Sequence, residues 1–280
     1  MRRPMRRPRR PRLKGLPFNR MIPNILTLLA LCAGMTAILF ALQDRWEQAV
    51  LSLLVAAILD GLDGRVARIL KGTSKFGAEL DSLSDFICFG VAPAIMLYLW
   101  TMQDLGRVGW VLVLLFSVCC ALRLARFNTN LDEPELPPWA YNFFSGVPSP
   151  AGAGLVILPI ILSLQFGDGI LRRPQVVAVF LVVVSALLVS RIPTFALKKF
   201  KVPHTWVLPT MLFVGLFAAM LVAAPWLTMA AAIIAYLASI PFSVRAFRSL
   251  RRKAEALRRG AEGDAMGEAD GPPADGPPAD

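Results

Sequence analysis

Four aspartates, Asp60, Asp63, Asp81 and Asp85, fall within one stretch, DGLDGRVARILKGTSKFGAELDSLSD, set between and within strongly apolar segments. Carboxylates at membrane depth persist only where something pairs with them or neutralises them. Several packed together cannot all ionise without compensation. Arg65 and Arg68 offset part of the charge, and a pair of hard divalent cations with oxygen ligands would offset the rest. Two-cation sites of this kind clamp the oxygens of a phosphoryl group during displacement. Arg68 is placed to hold a phosphate oxygen, and Gly64 and Gly77 leave room for a ligand to approach the backbone. The stretch therefore reads as a metal-dependent active site. The other readings of the same residues are a polar helix interface and an ion pathway in a transporter.

The spacing says which elements must carry these groups. Asp60, Asp63, Gly64, Ala67 and Arg68 recur at i, i+3, i+4, i+7 and i+8, one face of an α-helix. Gly77, Asp81, Asp85 and Cys88 make a similar stripe on the next helix. A short turn near Gly72 and Thr73 makes the two helices antiparallel neighbours, so their carboxylate-bearing ends face each other. About 11 apolar residues precede Asp60 in its helix, or ~16 Å, which places it in the inner half of a bilayer.

The rest of the chain supplies the setting. It has 280 residues, 56% of them hydrophobic, with a mean hydropathy of +0.57, well above a soluble domain. The fold class is all-α, a polytopic transmembrane bundle of about eight spans: roughly 22–42, 47–71, 76–101, 108–127, 150–165, 174–192, 206–223 and 226–244. The net charge of +11 follows from positive-inside topology, so no nucleic-acid partner is expected. With a cytoplasmic N-terminus, all but four of the 30 basic residues lie inside or at inner helix ends, the four being Arg45, Arg107, Arg172 and Arg173. Both termini and the aspartates are then cytoplasmic.

Three regions follow: a proline-spaced basic arm over 1–20, read as disordered and lying near anionic headgroups; a transmembrane catalytic region over 21–248; and a basic, then acidic, disordered tail over 249–280 that ends in repeats of GPPAD. The arm and first apolar run do not read as a secretory signal, because the run is too long and lacks a small-residue cleavage site. Cys32, Cys88, Cys119 and Cys120 read as small core residues, since none forms a CxxC pair. His204 is the single histidine, which leaves little for a zinc site or a histidine-based triad. Trp100, Trp110, Trp206 and Trp226 read as interfacial anchors.

At the aspartates the chain resembles the CDP-alcohol phosphotransferase family, whose signature is D-x-x-D-G-x-x-A-R, eight residues, G-x-x-x-D-x-x-x-D. Asp60, Asp63, Gly64, Ala67, Arg68, Gly77, Asp81 and Asp85 match every position and both spacings. The segments IPNILTLLALCAG, DFICFGVAPA, CALRLARFN and FFSGVPSPAGAG are most similar to the serine-using membrane members, and the likeness covers most of residues 22–154. The resemblance implies a core of six membrane helices, with two more here, and a cytoplasm-facing site in a membrane that is the inner membrane of a bacterium. It implies two divalent cations, Mg²⁺ or Mn²⁺, held by Asp60, Asp63, Asp81 and Asp85, with Asp85 also the general base. The implied reaction joins CDP-diacylglycerol and L-serine to give phosphatidylserine and CMP. A homodimer is implied in the same way.

In that reading cytidine lies beside Gly64 and Gly77, with Asp60, Ala67 and Arg68 on the same face. Asn24 and Thr27 on the first helix either border the nucleotide or serve as an interfacial cap and a packing residue. Arg123 and Arg126, at i and i+3 near the inner end of the fourth helix, are candidates with Asn128 for the acceptor's carboxylate; snorkelling to the inner surface is the plainer account. The segment Ser145 to Ser149 is positioned to close over the acceptor. Lys198, Lys199, Lys201 and His204 read as topological. Glycerol 3-phosphate, choline or inositol phosphate as acceptor, a cation transporter, and a structural adaptor acting through the basic arm are the competing functions.

Overall fold

The computed structural model describes residues 21–70, 74–129, 143–195 and 206–269. The basic arm, the turn at Gly72 and Thr73, Lys198, Lys199, Lys201, His204 and the GPPAD repeats lie outside the described residues. The chain divides into two compact units, Met1–Ser117 and Val118–Asp280.

The first unit is built on α1 (Met21–Leu42), which packs against α2 (Trp46–Ile69), α3 (Lys75–Asp85), a π-helical turn (Phe86–Val91) and α4 (Ala92–Trp100). The face that α1 buries is Pro23, Thr27, Ala30, Gly34, Ala37 and Ala41. Its side chains are small, so the backbones approach closely, the usual solution where lipid removes any hydrophobic drive between helices. At Gly34 an added Cβ would lie 2.6 Å from Cys88 Sγ. Opposite, α2 buries Ala49, Val50, Leu53, Ala56 and Asp63.

The sequence reads 76–101 as one uninterrupted helix, and the structure inserts the π-turn into it. Pro93, inside the first turn of α4, has no N–H to give the Phe89 carbonyl, so regular α bonding cannot continue there. The Ala92 N–H reaches back five residues to the Ile87 carbonyl. Trp100 is 3% exposed, so it is a core residue and not an interfacial anchor. Cys32 is exposed on α1, while the other three cysteines are buried.

The division between the units falls within α5 (Arg107–Thr129). In the second unit, β1 (Phe143–Ser145) pairs antiparallel with β2 (Pro193–Phe195), a ribbon that an all-helical reading does not contain. Two short helices, α6 (Ser149–Val156) and α7 (Leu158–Phe166), meet at a 41° bend. Pro159 causes it, since its ring and missing N–H disrupt the turn below. The remaining helices are α8 (Pro174–Val189), α9 (Val207–Ala223) and α10 (Pro225–Ala269). Within this unit α10 packs on α6, α7, α9 and β2. It runs through Ala269, beyond the expected end of the last span at 244 and into the region read as a disordered tail.

Among the described residues, Met21–Leu42, Lys75–Trp100, Arg107–Thr129 and Pro225–Leu250 are long and apolar enough to cross a bilayer, and the bent pair α6–α7 makes a fifth if it counts as one span. The chain is thus an integral, polytopic helical membrane protein. Of the other expected spans, α2 is long enough but carries Glu47, Asp60, Asp63, Arg65 and Arg68, whereas α8 and α9 are apolar but have only 16 and 17 residues.

Candidate active site

Within the first unit, the C-terminal half of α2 and the length of α3 carry the signature residues. One carboxylate oxygen each from Asp60, Asp63 and Asp81 lies within 4.8 Å of the others. Two ligands on opposite sides of one cation with metal–oxygen bonds of about 2.1–2.5 Å stand at about that separation. The donor set, carboxylate oxygens only, suits a hard divalent ion and not a soft one. The three aspartates therefore form a cluster able to hold a divalent cation. Asp85, one turn beyond Asp81, is the last residue of α3, and its Oδ1 is buried; it falls outside the three-residue group.

Asp63 is the most enclosed of the cluster, 4% exposed. Thr27 on α1 reaches across to it, Oγ1 lying 2.6 Å from Asp63 Oδ2 and 3.1 Å from the Pro23 carbonyl, with one hydrogen to give. Ser84 donates to the Thr27 carbonyl at 3.2 Å, and Cys88 Sγ approaches the Ala30 carbonyl at 3.4 Å. Side chains of α3 and the π-turn thereby fasten α1 alongside the aspartates.

Ser74 caps α3, its Oγ accepting from the Gly77 N–H at 3.0 Å. A Cβ on Gly77 would stand 2.8 Å from Asn24 Oδ1 and 3.1 Å from Ser74 Oγ, so the space left by the missing side chain is taken by α1 and the cap. At Gly64 a Cβ would meet nothing within 4 Å, which leaves that face of α2 open. Arg68 Nε donates to the Gly64 carbonyl at 3.0 Å, folding the guanidinium along its own helix, and Ala67 is half-buried beside it.

In the second unit Arg123 donates to the buried Ser149 hydroxyl at the start of α6. Arg126 sends Nη1 to the Val189 carbonyl at 2.9 Å and Nη2 to the Ser190 carbonyl at 3.2 Å, capping α8 where its last carbonyls carry negative character. Asn128 lies half-buried in the last turn of α5. The segment after β1 is fastened on both edges. Gly146 takes φ 83°, its N–H bonds the Ile192 carbonyl at 2.9 Å, and its own carbonyl accepts from Thr194 at 2.8 Å.

The sequence reading did not foresee the Thr27–Asp63 bond, the Ser74 cap or the part played by Ser149. Only the cap had a local signal, a serine three residues ahead of Gly77 at a helix start.

Comparison with known proteins agrees with this geometry. The CDP-alcohol phosphatidyltransferase pattern matches residues 20–186, and CDP-alcohol phosphatidyltransferase 2 matches residues 205–241. The chain belongs to the CDP-alcohol phosphatidyltransferase family. A Mycobacterium leprae protein named CDP-diacylglycerol–serine O-phosphatidyltransferase is 44% identical over 247 residues, covering 88% of this chain and 82% of the relative. Proteins of the same name from Helicobacter pylori and Bacillus subtilis are each 37% identical, over 75% and 51% of this chain and 86% and 80% of theirs.

Proposed function

We propose that the chain transfers the phosphatidyl group of CDP-diacylglycerol to L-serine, giving phosphatidylserine and CMP. The observation that carries this is the convergence of Asp60, Asp63 and Asp81 on facing helices in a chain whose relatives bear that activity in their names. In this reading Asp60, Asp63, Asp81 and Asp85 hold two divalent cations, Mg²⁺ or Mn²⁺. When bound, the cations spread the charge that develops on the diphosphate. Asp85 accepts the proton of the serine hydroxyl as its oxygen bonds the lipid-bearing phosphorus. The bond from that phosphorus to the bridging oxygen breaks, and CMP leaves with the electron pair. A carboxylate at hydrogen-bond distance is a sufficient base.

Asp60, Gly64, Ala67 and Arg68 line the nucleotide side, where the open face at Gly64 admits the CDP moiety. Gly77, Asn24 and Thr27 border it from α3 and α1. Arg123, Arg126 and Asn128 serve the acceptor. The catalytic region, 21–248, crosses the inner membrane of a bacterium eight times, with α2, α8 and α9 completing the count, and both termini and the site face the cytoplasm. The protein works as a homodimer, with the arm over 1–20 and the end of the tail at the cytoplasmic surface.

The test is CMP release from CDP-diacylglycerol by purified protein with Mn²⁺ or Mg²⁺ across a panel of acceptors, beside Asp85→Asn. Release that requires L-serine and disappears in the variant is expected. Release driven by a different alcohol overturns the acceptor, and release with none overturns the reaction.

A further inference from the structure

Polar side chains gather inside the second unit, where α5, α6, α10 and the β-ribbon meet. Arg123 donates to Ser149, and Ser149 is fully buried. Thr194, 1% exposed in β2, spends its hydrogen on the Gly146 carbonyl. Against them stands Tyr236 of α10, the helix that packs on β2 and α6; its phenol faces the Thr194 hydroxyl and lies in the field of the Arg123 guanidinium. The Tyr236 oxygen is sealed from solvent, and no hydrogen bond of normal geometry satisfies it. Ser243, two turns along the same face of α10, is likewise buried with an unsatisfied oxygen. Buried hydroxyls in native proteins are nearly always partnered, and the exceptions mark a water or a ligand. A phenol donor in the field of a guanidinium favours a group that only accepts, and a carboxylate with its two oxygens is such a group.

The two arginines of this region are not equivalent. Arg126 directs both terminal nitrogens to the carbonyls at the end of α8. Arg123 turns into the hydroxyl cluster.

We propose that Arg123, Ser149 and Tyr236 form the recognition site for the carboxylate of the amino-acid acceptor, with Tyr236 as its specificity-determining hydroxyl. The inference rests on serine being the acceptor. It gives Tyr236, far along the chain from the signature, the task of telling serine from alcohols that lack a carboxylate.

The experiment measures kcat and KM for L-serine, ethanolamine and glycerol 3-phosphate in the parent, Tyr236→Phe, Arg123→Lys and the control Tyr98→Phe. Ethanolamine keeps the hydroxyl and ammonium of serine without its carboxylate. Loss of a hydrogen bond to a charged group predicts that Tyr236→Phe raises the serine KM about tenfold to a hundredfold. The KM for CDP-diacylglycerol should hold, and the serine-over-ethanolamine preference should fall by the same factor. Arg123→Lys, which keeps the charge and loses the fork, should move in the same direction, and Tyr98→Phe should match the parent. If Tyr236→Phe leaves the preference intact, whether active or merely less stable, Tyr236 is structural and this inference fails while the serine reaction stands. A parent that uses glycerol 3-phosphate and not serine overturns the acceptor reading, and the inference with it.

Discussion

Thr27 is the residue whose setting says most about how the site is held. Its hydroxyl reaches Asp63, the buried member of the aspartate cluster, from a different helix. Outer partners of this kind orient ligand carboxylates, and their loss typically weakens metal binding tenfold to a hundredfold. Thr27→Val keeps the shape and removes the donor, so the Mn²⁺ concentration for half-maximal activity should rise by about ten to a hundredfold, while Thr27→Ser stays near the parent. Unchanged Mn²⁺ dependence in Thr27→Val would show that the contact does not tune the cluster. The aspartates themselves were legible in the sequence, because helical periodicity alone puts Asp60 with Asp63 and Asp81 with Asp85. Thr27 as the partner of Asp63 was not, since 36 residues separate them and no local pattern records a contact between helices.

At the scale of elements, α3 is short and polar for a membrane segment, and its first turn depends on Ser74. Removing such a cap costs about 1 kcal/mol. Ser74→Ala should therefore speed amide hydrogen exchange over residues 75–80 and lower the melting temperature modestly, whereas Ser74→Asp, which caps as well, should not. Equal exchange in parent and Ser74→Ala would mean that packing against α1 alone holds the turn. The same helix shows where the sequence reading fell short. Apolar periodicity through 76–101 foretold one span, and the span is there, but Pro93 breaks its bonding and a π-turn follows directly on Asp85. Proline signalled a disturbance; whether it becomes a kink, as at Pro159, or a widened turn, as here, depends on the neighbours each stretch must fit.

At the scale of the whole molecule, charge outside the helices offers a pH test. Asp168, in the loop between α7 and α8, is held below its ordinary value of 3.8 first by the Ser163 hydroxyl and then by Arg172. A carboxyl lowered in the folded state adds stability above its unfolded-state pKa and loses it as the pH falls through the folded value. Melting of the detergent-solubilised parent should thus drop more steeply than that of Asp168→Asn between about pH 5 and pH 3. Parallel curves would show that the loop does not contribute. The contribution is small, because Asp168 is half exposed and solvent screens the pair.

Composition, periodicity and the basic bias determined that this chain is a helical membrane protein with its carboxylates on two neighbouring helices, because burial in lipid demands long apolar helices and leaves charged stripes conspicuous. Only the tertiary structure decided that Thr27 serves Asp63, that Asn24 fills the space at Gly77, and that Arg126 caps α8 while Arg123 turns to Ser149. Those facts are set by how helices distant in sequence pack. In an apolar segment nearly every face is hydrophobic, so sequence alone does not mark which one meets a neighbour.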